Sequence, residues 1–301
     1  MILGIDIGGT TSKLGLVKNG QMVARARIGT TGHANEEAFA DALANAAREL
    51  ATSAGGSIER IGVGAPNGNQ HTGTIAMAPN LPWKCDVPLA AMLTERLGAP
   101  CILGNDANAA ALGEWRFGAG VGFTDLLVVT IGTGLGSGFI VDGKLLLGPF
   151  GNAGELGHVI LVPDGRPCTC GRNGCLEAYV SIRGMRETYA VEAQGTRLLH
   201  EEGVLPIAQA ARDGDPGALR TFDLTARWLA IGLANAVALI PTQRIVLFGG
   251  VARNGELLLG PVRKHFGSSL LNIHAGRVEI VASALPEDDA AILGAAALGA
   301  S

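Results

Sequence analysis

The sequence predicts an α/β protein made of two similar halves, each a mixed sheet flanked by helices. In the first half, apolar runs of strand length alternate with longer amphipathic segments in the order βββ, α, β, α, β, α, a succession that buries a sheet under helices. A unit of strand, glycine-rich turn, strand, Asx-Gly and strand opens the chain and returns about 124 residues later, as an internal duplication would produce. At 301 residues the chain is long enough for two cores. Its 45 glycines gather in turns and lack the G-X-Y period of collagen.

Ile2 to Ile7 is an apolar run ending on Gly8-Gly9, and Lys13 to Val17 is a second that reaches Asn19-Gly20, a type I′ hairpin dipeptide. Gln21 to Ile28 supplies a third strand. Between the first two lies Asp6-Ile7-Gly8-Gly9-Thr10-Thr11-Ser12, whose backbone N–H groups and hydroxyls can face an anion. A strand follows it, unlike the helix that follows a P-loop or a dinucleotide fingerprint. Asn35 to Ala51 sets Ala, Phe and Leu on one side and Glu on the other, an amphipathic helix. A strand (Arg60 to Val63), a Gly/Pro/Asn loop, a helix (Leu89 to Leu97) and a strand (Pro100 to Leu103) follow, and Gly104-Asn105-Asp106 opens a helix through Trp115.

The repeated unit then runs Leu126 to Ile131, the turn Gly132-Thr133-Gly134-Leu135-Gly136-Ser137-Gly138, Phe139 to Val141, Asp142-Gly143 and Leu145 to Leu147. Helices are expected over Leu176 to Ala190, Gly203 to Arg212 and Pro216 to Ile240. Arg244 to Phe248 is a strand entering Gly249-Gly250, and another helix, a strand (Val278 to Val281) and a last helix (Asp288 to Gly299) complete the chain. The glycine-rich stretch from Phe117 to Thr124 is the candidate hinge. Two halves joined there across a cleft suit closure on a substrate.

A net charge of −4 with Lys and Arg scattered singly provides no basic stripe, which argues against nucleic acid as a partner and against a polyphosphate groove. The opening MILGIDIGGTTSK has no charged region ahead of its apolar residues and no cleavage site, so it reads as a strand and not as a signal peptide. The longest apolar runs, Trp228 to Ile240 and Ala290 to Ala300, are too short for a bilayer span. A soluble, cytoplasmic protein with no membrane partner is expected.

The segment 151–181 concentrates the unusual chemistry. Cys168, Cys170 and Cys175 are spaced C-x-C-x4-C, with His158 ten residues upstream. These four side chains suit a closed, tetrahedral Cys3His zinc site. A disulfide would leave one of three clustered thiols unpaired, and a redox pair would need another spacing. With every position filled by protein, such an ion is structural.

Gly4-Ile-Asp-Ile-Gly-Gly-Thr, Asn105-Asp106-Ala-Asn, Glu155-Leu-Gly-His158 and Cys168-x-Cys170-Gly-x-x-Gly174-Cys175-Leu-Glu177 together resemble the ROK family of sugar kinases, and the likeness runs almost the whole chain. It implies the actin-like ATPase (ribonuclease H-like) fold, two duplicated βββαβαβα domains flanking a nucleotide cleft. Residues 1–118 plus 287–301 would form the smaller domain, and 119–286 the larger one, which carries the zinc module 151–181. Repressors of this family carry a helix-turn-helix ahead of the first glycine turn. Here the first strand starts at residue 2, which favours a kinase.

The implied activity is ATP-dependent phosphorylation of a hexose 6-hydroxyl, with glucose as first choice. N-acetylglucosamine, N-acetylmannosamine, fructose and allose are alternatives, and a sugar-sensing regulator without turnover is the alternative of another class. The cofactors are ATP, catalytic Mg2+ and structural Zn2+, and a homodimer or tetramer is expected from the family.

Carried onto this sequence, the resemblance makes Asp106 the base that accepts the sugar hydroxyl proton; from the residues alone, Asp106 or Asn105 could equally cap the helix that starts there. Asp6 would orient the Mg2+-bound phosphates. Gly4, Gly8, Gly9, Thr10, Thr11, Gly132, Thr133, Gly134 and Gly136 belong to the two phosphate turns, Gly249 and Gly250 lie near the adenosine, and Lys13 could reach a phosphate. Asn80, Asn105, Glu155, His158 and Glu177 are the implied sugar ligands, His158 binding zinc through one ring nitrogen and facing the sugar with the other. Where many members have Gly-x-Pro-Gly, this chain has Gly64-Ala65-Pro66-Asn67. The Asn67 side chain therefore bears on sugar contacts or loop shape.

Overall fold

The computed structural model describes residues 1–77, 81–193 and 203–300. Two five-stranded sheets form the frame. The first contains β1 (Ile2–Ile7), β2 (Thr11–Lys18), β3 (Gln21–Gly29), β4 (Arg60–Ala65) and, after the small β5 (Gly68–Asn69) and β6 (Thr74–Ile75) ribbon, β7 (Cys101–Asn105), in the spatial order β3-β2-β1-β4-β7. The second contains β8 (Leu126–Ile131), β9 (Leu135–Val141), β10 (Lys144–Leu145), β11 (Arg244–Phe248) and β12 (Glu279–Ala282), in the order β10-β9-β8-β11-β12. In each sheet the first three strands are antiparallel and the last two join parallel to the first. The identical order and polarity match the duplication read from the sequence.

Both hairpin turns have the expected form. Asn19 and Gly20 have φ of 52° and 77°, and Asp142 and Gly143 have 50° and 70°, the paired positive values of a type I′ turn.

The helices are α1 (Glu36–Ser53), α2 (Leu89–Leu97), α3 (Asp106–Phe117), α4 (Glu177–Val180), α5 (Ile182–Glu192), α6 (Leu205–Arg212), α7 (Pro216–Leu239), α8 (Glu256–Ser269) and α9 (Glu287–Gly299). Asn35 caps α1 by accepting the Ala38 N–H at 2.9 Å, with Glu36 and Glu37 in the first turn. The helix expected over Leu176 to Ala190 is two helices. Ser181 is extended between them, and its hydroxyl accepts the Gly184 N–H to start α5. The glycine turn before Phe139 is largely strand, because β9 already pairs with β8 from Leu135.

Strand alternation sorts side chains to opposite faces. On β8, Leu127, Val129 and Ile131 join a core with Phe222, Leu229 and Leu233 of α7, whereas Leu126 and Val128 face a second core with Leu112 of α3 and Leu298 of α9. The first sheet buries Leu3, Ile5 and Ile7 against Phe39 and Leu43 of α1 and Leu89 and Leu93 of α2. Its other face takes α9 at very close range. A Cβ on Gly62 would stand 1.8 Å from the Ala295 carbonyl oxygen, and one on Gly4 2.3 Å from that of Ile292. Only glycine permits this approach.

By length and composition α7 could cross a bilayer, contrary to the expectation from its apolar run. Here Phe222, Ala226, Leu229 and Leu233 are buried in the core of the second half, which accounts for that apolarity.

The chain passes between sheets twice, after α3 and before α9, and fully buried Glu114 ties the two passages together. One of its carboxylate oxygens accepts the Ala119 N–H at 2.8 Å and the other accepts the Ser283 hydroxyl. Arg244 donates to the Ala119 carbonyl at 2.7 Å and lies 4.0 Å over the Phe123 ring. The predicted glycine hinge is thus anchored at its start.

Candidate active site

A cleft between the sheets is built where strands end. Asp6 sits near the end of β1, Gly8 and Gly9 follow it, and Thr130 to Gly136 supply the matching turn between β8 and β9. Together with Gly249 after β11, Asn105 and Asp106 at the β7–α3 junction, and Glu155 and Glu177, they line a cavity of about 550 Å³. A second cavity of about 400 Å³ adjoins it, lined by Asn67, Asn69, Asn105, Asn108, Ser137, Asn152, Glu155 and His158 among others. Asn67, Asn105, Ser137 and Glu155 border both.

At the junction the capping role falls to Asn105, which is extended (φ −64°, ψ 145°) and accepts the Ala107 N–H at 2.8 Å. Asp106 Oδ1 shares that donor at 2.8 Å. Burial pushes the Asp106 carboxyl above its usual range, against the pull of those backbone N–H groups. Burial and the neighbouring Asp106 push Asp6 from 3.8 up to about 6, with Lys13 opposing. Glu155 is raised by burial and by Asp106 and Glu177, with His158 opposing. Asp106 therefore lies within electrostatic reach of the phosphate-side and acceptor-side carboxylates alike.

The cysteine module approaches from the other side. The ligand atoms of His158, Cys168, Cys170 and Cys175 lie within 4.8 Å of one another. Cys170 and Cys175 sulfurs are 3.7 Å apart, and His158 Nδ1 is 3.7 Å from Cys168 Sγ. Tetrahedral zinc with bonds of about 2.3 Å to sulfur and about 2.0 Å to nitrogen needs edges of about 3.8 and 3.6 Å. The group fits structural zinc, and all five cysteines are free thiols. The Arg172 backbone N–H holds the exposed Cys170 thiol down to about 6, toward the thiolate a metal requires. His158 turns Nδ1 to this cluster and is also one of the residues lining the acceptor-side cavity.

Glu177 joins module to cleft. One carboxylate oxygen accepts the Leu135 N–H at 2.9 Å, and the other accepts the Thr169 hydroxyl at 3.0 Å and the Cys168 thiol at 3.6 Å. The predicted sugar ligand thus lines the phosphate-side cavity and steadies its turn.

Of the other predicted residues, Gly4 packs on α9 away from the cleft, Lys13 lies opposite Asp6 on β2, and Thr10, Thr11 and Gly250 flank the cavities without lining them. Asn80 falls outside the described residues. Asn67 has a φ of 53°, the left-handed conformation that a glycine at this position would adopt freely, and its side chain donates to the Ala76 carbonyl at 3.0 Å.

Sequence reasoning missed Asn69 and His71, which reach across to the second half, donating to Phe150 O at 2.8 Å and meeting Gly148 O at 3.0 Å. It also missed a recess beside Thr133 formed by Ile182, Arg183, Arg186, Glu187 and Ala190 of α5.

The family model for the ROK family matches residues 2–301. The chain belongs to the ROK family. It is 35% identical to the glucokinase of Streptomyces coelicolor, over 99% of this chain and 97% of that protein. It is 34% identical to the N-acetylmannosamine kinase of Escherichia coli, over 98% and 97%. Among ROK structures, the Streptomyces griseus glucokinase in complex with glucose and AMPPNP superposes with a TM-score of 0.81 at 36% identity, covering 99% of each chain. The fold is therefore the ROK kinase fold expected from the motifs.

Proposed function

We propose that this ROK protein is an ATP-dependent glucokinase that phosphorylates the 6-hydroxyl of glucose. The observation that carries the reading is the position of Asp106, a carboxyl on the wall of the cavity formed by the two glycine turns and next in the chain to Asn105, which borders both that cavity and the one walled by amides, Glu155 and His158. The similarity to glucokinases over nearly the full chain supports glucose.

In this reading the turns after β1 and β8 cradle the phosphates with backbone N–H groups, and the recess at α5, bordered by Thr133 of the second turn, takes the base. When bound, Mg2+ would offset phosphate charge, and Asp6 is the residue placed to orient it. The sugar 6-oxygen attacks the γ-phosphorus, its proton passes to Asp106, and the bond from that phosphorus to the leaving ADP oxygen breaks. Glu155, His158, Asn67 and Asn105 hold the other hydroxyls, leaving unpaired polar groups when the wrong sugar enters. Zinc bound by His158, Cys168, Cys170 and Cys175 would fix the imidazole tautomer and orientation. A cytoplasmic homodimer or tetramer completes the proposal, and sedimentation at enzyme concentrations tests the assembly.

An ADP-release assay across glucose, N-acetylmannosamine, N-acetylglucosamine, fructose and allose tests the function. Glucose is expected to give the highest kcat/KM. N-acetylmannosamine is the alternative supported by the Escherichia coli relative. Turnover of no sugar, with sugar binding intact, would indicate a sensor.

A further inference from the structure

Asn108 lies two residues beyond Asp106 on α3 and has no role in the reaction proposed above. It is 3% exposed, on the helix face packed against β9, where a Cβ on Gly138 would stand 3.2 Å from its Oδ1. It lines the acceptor-side cavity and not the phosphate-side one. Its Oδ1 is shielded from the surface and has no hydrogen-bond partner among the described residues.

Buried polar atoms in folded proteins are almost always paired, so this one calls for a partner that enters from outside. The local uses of an asparagine are already filled. Asn105, one turn earlier, makes the cap. Ser137, on the same cavity wall, donates its hydroxyl to Gly154 O and accepts the Leu156 N–H. Oδ1 is covered as the side chain stands, so what would pair it is a turn of the amide toward the one cavity that Asn108 borders, the acceptor-side one.

We propose that Asn108 is a specificity-determining residue of the acceptor pocket, accepting a hydrogen bond from one non-reacting ring hydroxyl of the bound sugar. The proposal rests on the sugar-kinase reading. A covered, unpaired acceptor atom demands a donor, and a hydroxyl is the donor a hexose presents at every free ring position. A sugar lacking that hydroxyl leaves Oδ1 unpaired, and a polar pocket discriminates by that penalty. Because Asn108 lines only the acceptor-side cavity, its influence falls on the sugar and not on the nucleotide.

The test compares the unmodified protein with Asn108→Ala on glucose and on the four monodeoxy analogues that each lack one non-reacting ring hydroxyl, with ATP titrated separately. The glucose KM is expected to rise about three- to tenfold in the variant, while the ATP KM stays within about twofold. For one analogue the two proteins should converge, since removing the hydroxyl and removing the amide delete the same bond. Apart from turnover, the glucose-induced rise in melting temperature should shrink, and the sugar-free melting temperature should hold or increase. Equal factors of loss for every analogue in both proteins, or an ATP KM that moves with the glucose KM, would overturn the proposal. Asn108→Ser retains an oxygen and stands in if the alanine variant does not fold; it should show a smaller KM change with the same convergence, and absence of convergence there overturns the proposal too. Failure of the unmodified protein to turn over any sugar would reject the kinase reading, whereas turnover with additive losses removes Asn108 alone.

Discussion

Replacing Asp6 with asparagine should make the nucleotide-free protein more stable at pH 8 while weakening its response to Mg2+ and ATP. Burial, then the charge of Asp106, raises the Asp6 carboxyl from 3.8 to about 6. Each tenfold in proton affinity is worth about 1.4 kcal/mol, so keeping this group ionised in the fold costs up to about 3 kcal/mol. Asp6 is only half-buried at the wall of an open cleft, and screening by cleft water reduces the figure to about 1–2 kcal/mol. Because the folded value lies above the unfolded one, the favourable contribution is fully present below about pH 4 and is lost as pH rises through about 6. Asparagine has no such titration. The variant should therefore melt about 2–6 °C above the parent at pH 8, with the gap closing toward pH 5. Scanning fluorimetry of both proteins at several pH values reads this directly. Mg2+ with a non-hydrolysable nucleotide should raise the parent's melting temperature and do little for the variant. A variant that melts at or below the parent at pH 8, or a gap that does not narrow on acidification, would refute the placement of a strained charge at the end of β1.

Asp106→Asn should lower kcat by at least about a thousandfold with glucose affinity still measurable by calorimetry, and the parent's kcat should fall on acidification as the raised Asp106 carboxyl gains its proton; retained turnover removes it as the base. Zinc-selective chelation should release about one zinc per chain by elemental analysis and raise the glucose KM by at least about tenfold, with a smaller change for ATP carried through the Glu177 contact to Leu135; metal loss with an unchanged glucose KM contradicts the assigned role of His158. Glu114→Ala removes the buried tie between the two inter-sheet passages and should cost about 2–4 kcal/mol in urea unfolding, whereas a loss below about 0.5 kcal/mol would mean the tie is dispensable.

The parts of this protein that were legible in the sequence are those whose chemistry is local. Asn19-Gly20 and Asp142-Gly143 specify their turns by themselves, because two consecutive positive φ values admit few other residues. The cysteine spacing likewise brings its own ligands together over a short span. What escaped was set by distant partners. Gly4, placed with the phosphate turns by its motif, is a glycine because α9, nearly three hundred residues later, lies against it. The break at Ser181 has no proline or glycine to announce it.

Glu177 shows how a motif can identify a residue and still leave its contacts undetermined. The C-terminal glutamate of the cysteine motif implies by resemblance a sugar-binding carboxylate, but its two oxygens take the Leu135 N–H on one side and the Thr169 and Cys168 groups on the other. That pairing depends on β9 entering its sheet early, at Leu135, a boundary that the run of alternating glycines concealed. The consequence is mechanical. Thr169, which sits between two of the cysteines, donates to Glu177, and Glu177 in turn accepts from Leu135, so cysteine module, carboxylate and glycine turn form one connected path along which an ion held by the module would also steady the turn assigned to the phosphates. Acceptor and nucleotide affinities should therefore decline together, unequally, when the cluster is opened, and a Glu177→Gln variant, which keeps one acceptor oxygen and loses the charge, should fall between the parent and the metal-free protein in both.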